Sequence, residues 1–239
     1  MTSDRVVEES AGEERVHTSG GRLPLPSAIL FDLDGTIMDS SPIICRAMSL
    51  ACAEFGHDRA PEVFEPYIGP PPWHTFAEVT GEPPEVVERI VPRYREIYDG
   101  IMDRTPVFPG MPSLIETVAA AGVPLAVATS KLRSAAISLL EGANLADKFV
   151  TIQGAGQDPA SAVKATVIRS AIADLEAAGV DTSRMVMIGD RHHDIDGAAA
   201  FGVPTILVNW GYARPGEEEG AIARAATPRE LATLLGVSA

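Results

Sequence analysis

Two carboxylates one residue apart, Asp32 and Asp34, end an unbroken apolar run in Ala28-Ile29-Leu30-Phe31-Asp32-Leu33-Asp34-Gly35-Thr36. Neighbouring carboxylates repel and stay ionised only where a cation sits beside them. The pair suggests a divalent metal, an acid/base couple, or both. An ordinary polar turn is the alternative, since Asp and Gly are common turn residues. Thr129 follows a second apolar run, Leu125-Ala126-Val127-Ala128, with Ser130 and Lys131 beyond it. Lys164 stands where a helical pattern begins, and Asp190, Arg191 and Asp194 follow a third apolar run, Met185 to Ile188. Phosphoryl transfer needs groups of these types. One carboxylate can attack phosphorus and form an aspartyl-phosphate. A second can protonate the leaving oxygen and later take a proton from water. Mg²⁺ prefers oxygen ligands, and a hydroxyl and an ammonium can steady the phosphoryl oxygens.

The apolar runs lack polar alternation, as in strands buried on both faces of a parallel sheet. Their alternation with helical patterns predicts right-handed crossovers and a doubly wound α/β fold. Ligands gather at the carboxyl ends of such strands, so the four groups should meet at one rim. After the first strand, Ser40 or Ser41 is expected to cap a helix that has Pro42 in its first turn and stops at Gly56. From Asp58 to Thr105, helical fragments are broken by Pro61, Pro66, Pro70-Pro71-Pro72, Pro83-Pro84 and Pro92, and no strand is apparent. Residues 1–26 read as a flexible tail, 27–39 and 107–239 as an α/β core, and 40–106 as a helical insert. Later strands are expected over Val123–Ala128, Phe149–Ile152, Arg184–Ile188 and Thr205–Val208, with a weak one near Ile222. Helices are expected from Ser130 or Lys131, over Ala162–Ala178 and Ile195–Phe201, and over Pro228–Leu235, with Gly154-Ala155-Gly156 as a loop.

In order and spacing these groups resemble the four motifs of the haloacid dehalogenase (HAD) superfamily, a likeness that runs from about Ala28 to Leu235. The resemblance implies a Rossmann-like HAD core with a small α-helical cap inserted after the first strand. It implies that Asp32 is the nucleophile and a metal ligand. Asp34 would be the general acid/base and give its backbone carbonyl to Mg²⁺. Thr129 would bond the phosphoryl group and Lys164 neutralise it, while Asp190 and Asp194 complete the metal site. True dehalogenases lack the second aspartate of the first motif, so Asp34 points to phosphoryl transfer. The layout is most similar to the phosphoglycolate phosphatase-like branch, and Asn209-Trp210-Gly211-Tyr212 resembles bacterial 5′-nucleotidase members. Some relatives of this layout have protein phosphotransfer roles. The implied substrate is a small phosphorylated metabolite, with phosphoglycolate ahead of a nucleoside monophosphate. Gly69, Pro70 and Trp73 form the candidate specificity loop, and Ser130, Lys131 and Arg191 are candidate substrate contacts.

Several residues also have plainer readings. Lys164 could be a solvated helix lysine, Thr129 a helix cap and Arg191 a surface charge. His192 and His193 resemble a zinc pair, but adjacent helical residues point about 100° apart, which favours a surface or rim role. The chain has 239 residues and a net charge of −14, which argues against a broad nucleic-acid face. It has no long uncharged apolar stretch of membrane-span length and no secretory leader pattern. Cys45 and Cys52 fall about 10 Å apart on a helix, beyond disulfide reach, so a cytoplasmic setting is expected. Oligomeric state is left open.

Overall fold

A computed structural model of the chain describes residues 25–69, 72–156 and 158–237. The expected tail lies outside these residues apart from Leu25 and Pro26, and so does Pro70. The strands are β1 (Ala28–Phe31), β2 (Leu125–Leu132), β3 (Thr151–Ala155), β4 (Met185–Gly189), β5 (Thr205–Val208) and β6 (Ala223–Ala225). All neighbouring strands pair in parallel, in the order β3-β2-β1-β4-β5-β6. The reversal of strand order beside β1 is the switch point at which ligands bind in open α/β sheets.

Alternate residues of each central strand feed opposite faces of this sheet. Ile29, Phe31, Leu125, Val127, Val186 and Ile188 enter one apolar cluster, which also holds Met111, Leu114, Leu140 and Leu231. Those partners come from α4 (Met111–Ala120), α5 (Arg133–Gly142) and α8 (Pro228–Leu234). Ala28, Leu30, Ala126, Ala128 and Met187 face the other side. There they meet Val167, Ile168 and Ala198 from α6 (Lys164–Ala177) and α7 (His192–Ala199). Burial on both faces is why these strands read as continuous apolar runs.

Between β1 and α4 lie only helical elements among the described residues: α1 (Ser41–Glu54), a 3₁₀ segment at Pro61–Tyr67, α2 (Pro72–Thr80), α3 (Pro84–Asp99) and a 3₁₀ turn at Met102–Arg104. They bury an apolar cluster that includes Met48, Phe64, Phe76, Ile90 and Tyr98, with Phe64 and Phe76 meeting edge-on at 6.4 Å. Pro92 does not break this region as the sequence suggested. It sits inside α3, where Val87, Ile90, Val91 and Tyr98 bury one face. Their burial outweighs the hydrogen bond that the proline removes.

Other boundaries also move. β2 continues to Leu132, so no helix starts at Ser130 or Lys131, and α5 begins only at Arg133. The pairing of β2 with β3 shifts register between Ala128 and Leu132 and then resumes. β3 takes in Gly154 and Ala155, which the sequence had placed in a loop, and α7 starts earlier, at His192. No helix among the described residues is long and apolar enough to cross a membrane.

Candidate active site

The end of β1 carries Asp32, whose N–H donates to Ile188 O at 2.8 Å and so ties the β1 end to β4. Lys164, the first residue of α6, is only 8% exposed, which removes the reading of it as a solvated lysine. Its Nζ lies 2.7 Å from Asp32 Oδ1 and 2.8 Å from Asp194 Oδ1, and it donates to Ala128 O at 3.1 Å. One ammonium thus joins the end of β1 and the middle of β2 to the first turn of α7. Asp194 is fixed from its other oxygen, since Oδ2 accepts the N–H groups of Asp190 and Arg191 at 3.1 and 3.0 Å. Asp190 is fully buried, and its Oδ2 accepts the Tyr212 N–H at 2.7 Å.

Close backbone approach makes room for these carboxylates. Gly35 has φ +85°, and a Cβ there would lie 2.2 Å from Asp190 Oδ2. A Cβ on Gly211 would fall 2.3 Å from Asp190 Cβ. No side chain other than hydrogen is accommodated at either position.

Asp32, Asp190 and Asp194 each place one carboxylate oxygen within 4.8 Å of the others. Burial pushes the Asp32 carboxyl up to about 6, against the downward pull of Lys164. Burial, then the Asp194 and Asp32 charges, raise Asp190 well above the usual carboxylate range. Burial alone would lower Lys164, but Asp194 and Asp32 outweigh it and keep the ammonium charged. Lys164 thus meets two of the three carboxylates, and Asp190 Oδ1 is a buried acceptor with no hydrogen-bond partner. Such an acceptor is costly unless a cation meets it. The all-oxygen donor set suits a hard divalent ion.

Asp34 is oriented by other residues. Its carboxylate oxygens lie 3.1 and 3.0 Å from Lys131 Nζ, and Oδ1 also accepts the Ser40 hydroxyl. Ser40 precedes α1 but makes no side-chain cap. The Lys131 ammonium stands 4.5 Å over the Tyr98 ring, whose cation–π attraction adds to the pair with Asp34. Thr129 is buried within β2 and caps no helix, and its Oγ1 accepts the Lys131 N–H at 3.2 Å.

Asp32, Asp34, Tyr98, Thr129, Lys131, Lys164 and Asp194 line one cleft of about 140 Å³, together with Gly69, Trp73, Ser130 and His193. Arg191 lines it too, but is buried and ion-paired to Glu217 at 2.6 Å rather than a surface charge. His192 faces Glu217 at 3.2 Å, and the acidic cluster found among the described residues, Asp32, Asp190 and Asp194, includes neither histidine. Ser40 was read only as a helix cap, and the site contacts of Tyr98, Tyr212 and Glu217 escaped the sequence reading. Only the Asn209-Trp210-Gly211-Tyr212 stretch hinted at one of them.

The model of the haloacid dehalogenase-like hydrolase family matches residues 29–208, which span the Asp32, Thr129, Lys164 and Asp190 positions. The chain belongs to this family. Its enzymatic class is that of the family's phosphatases. The chain is 35% identical over 217 residues to the tyrosine-protein kinase PtkA of Mycobacterium tuberculosis, covering 89% of this chain and 73% of that protein. The solved structure of that kinase matches with a TM-score of 0.76 and 34% identity, over 89% of this chain and 99% of the other. A 5′-nucleotidase of Pseudomonas aeruginosa is 35% identical over 188 residues, covering 77% of this chain and 83% of that protein. A phosphoglycolate phosphatase of Caulobacter vibrioides is 32% identical over 193 residues, covering 78% and 80%.

Proposed function

We propose that this HAD-like hydrolase is a Mg²⁺-dependent phosphomonoester hydrolase that acts through an aspartyl-phosphate on a small phosphorylated metabolite. The observation that carries this reading is the bridging position of Lys164, 2.7 Å from Asp32 and 2.8 Å from Asp194, in the wall of a shared cleft. Asp32 supplies the attacking carboxylate oxygen, and Lys164 keeps that oxygen oriented while balancing charge on the phosphoryl group. Thr129 offers its hydroxyl proton to a phosphoryl oxygen. Asp34 gives a proton to the departing oxygen, then takes one from the water that opens the acyl phosphate. Asp32, Asp190, Asp194 and the Asp34 carbonyl are the residues that would hold Mg²⁺. When bound, the ion offsets phosphate charge as a Lewis acid.

In this reading residues 40–106 form a cap over the core of residues 27–39 and 107–239, with hinges near Asp39–Ser41 and Thr105–Pro109. Such a cap excludes water from the intermediate and opens for exchange. The small cleft and the phosphoglycolate phosphatase relative favour a compact ester such as phosphoglycolate. Trp73 in the cleft wall and the 5′-nucleotidase relative support a nucleoside monophosphate as the alternative. A second reading, transfer to protein tyrosine, is favoured by the match to PtkA over 89% of this chain. A cytoplasmic setting belongs to the same proposal, supported by the free buried thiols of Cys45 and Cys52.

A phosphate-ester panel containing phosphoglycolate, nucleoside monophosphates and a phosphotyrosine peptide, run with Mg²⁺ and with chelator, tests these readings. Release of phosphate from a small ester, lost on chelation, is the expected result. Label transfer from ATP to a tyrosine peptide, without ester hydrolysis, would favour the second reading.

A further inference from the structure

Arg191 has an arrangement that the phosphoryl chemistry does not use. Its side chain is buried, and its guanidinium is committed on three sides. Nε and Nη2 donate to the two Glu217 oxygens at 2.6 and 2.9 Å, and Nη1 donates to the Ile68 carbonyl. A bidentate Arg–carboxylate pair fixes direction as well as attracting charge. Glu217 lies between β5 and β6, while Ile68 and Gly69 belong to the helical insert, just before α2. Gly69 takes φ +109°, a backbone conformation open to glycine, and a Cβ there would lie 3.5 Å from Arg191 Nη1. One guanidinium therefore fastens three segments distant in sequence: the Asp190 loop, the loop after β5 and the Ile68–Gly69 turn. Burial alone would raise the Glu217 carboxyl, but Arg191 outweighs it and holds the group down at about 2, so the pair is ionised at neutral pH.

Ile68, Gly69 and Arg191 line the same cleft as Asp32 and Lys164. The placement of the turn therefore sets part of the wall of that cleft. A direct clamp on substrate phosphate would compete with the Glu217 and Ile68 bonds that Arg191 already makes.

We propose that Arg191, anchored by Glu217, is a positioning residue that holds the Ile68–Gly69 turn over the phosphoryl site and so governs substrate access. This inference rests on the phosphatase reading for its kinetic consequence, but not for its structural one. The test uses the full chain with Glu217→Gln and Arg191→Lys, so that either variant suffices if the other fails to fold. Amide hydrogen exchange across residues 61–69 is measured alongside Mg²⁺-dependent hydrolysis of 4-nitrophenyl phosphate. Loss of a charge-assisted pair should speed exchange in that segment by about tenfold or more. KM should rise several-fold, with kcat within about twofold of wild type. Unchanged exchange across 61–69 overturns the proposal, and so does a fall in kcat with KM unaltered. A wild-type protein that hydrolyses no ester would defeat the phosphatase reading, while the exchange data would still decide the role of Arg191.

Discussion

At the scale of single residues, the site is a problem of charge. Asp32, Asp190 and Asp194 crowd within 4.8 Å, yet Lys164 reaches only Asp32 and Asp194 at contact distance. Burial first, and the neighbouring carboxylates after it, push the Asp32 carboxyl up to about 6 and raise Asp190, so the cluster holds protons where no second cation is present. Asp32 keeps its proton below about pH 6 in the metal-free fold, Asp190 is held well above the usual carboxylate range, and a metal would displace the protons they hold. Mg²⁺ affinity should therefore fall as pH drops through 6, by up to about tenfold per pH unit for each proton released. Titration calorimetry between pH 5 and pH 8 checks this, and a pH-independent affinity would contradict it. Little of this electrostatic pattern was legible in sequence. The residue types were, but a lysine at a helix start looks alike whether it meets solvent or two aspartates 132 and 30 positions away.

At the scale of elements, the site depends on how closely α6 and α7 cross. A Cβ on Gly197 of α7 would lie 2.6 Å from Lys164 Cγ and 3.2 Å from the Ala165 nitrogen. Gly197→Ala gains about 1 kcal/mol of helix propensity but incurs an overpacking cost of about 1–3 kcal/mol. Overpacking should prevail, lowering Tm by a few degrees and reducing turnover by displacing Lys164. Thermal unfolding and steady-state assays together check this, and a raised Tm with full activity would contradict it. Element identity was largely readable, because strands buried on both faces must be apolar throughout and glycines stop helices such as α1. Boundaries were not. Ser130-Lys131-Leu132 looks like a helix start, and only the resumed pairing of Leu132 with Ala155 extends β2 through it. Pro92 looks like a helix end, and only the packed face of α3 carries the helix past it. Ser40 looks like a cap, but its hydroxyl turns to Asp34.

Across the whole molecule, parallel topology brings Asp32 and Asp190 from two strand ends, Thr129 from within β2 and Lys164 from a helix start to one rim. That convergence was readable because each apolar run ends in its chemical group. What stayed hidden was the layer of long-range partners. Lys131 turns to Asp34, Glu217 holds Arg191, and Tyr212 gives its N–H to Asp190 and its hydroxyl to Asp39 at 3.0 Å. Such pairs carry no local spacing, so only the assembled fold identifies them. The central claim is that the Asp32 carboxylate attacks phosphorus within this assembly. Its most direct test is kcat/KM for the best ester of the panel, in saturating Mg²⁺, for wild type and for Asp32→Asn. A loss of about 10³-fold or more, with the variant folded and still binding phosphate, is expected. Equal activity in the two proteins would contradict the account.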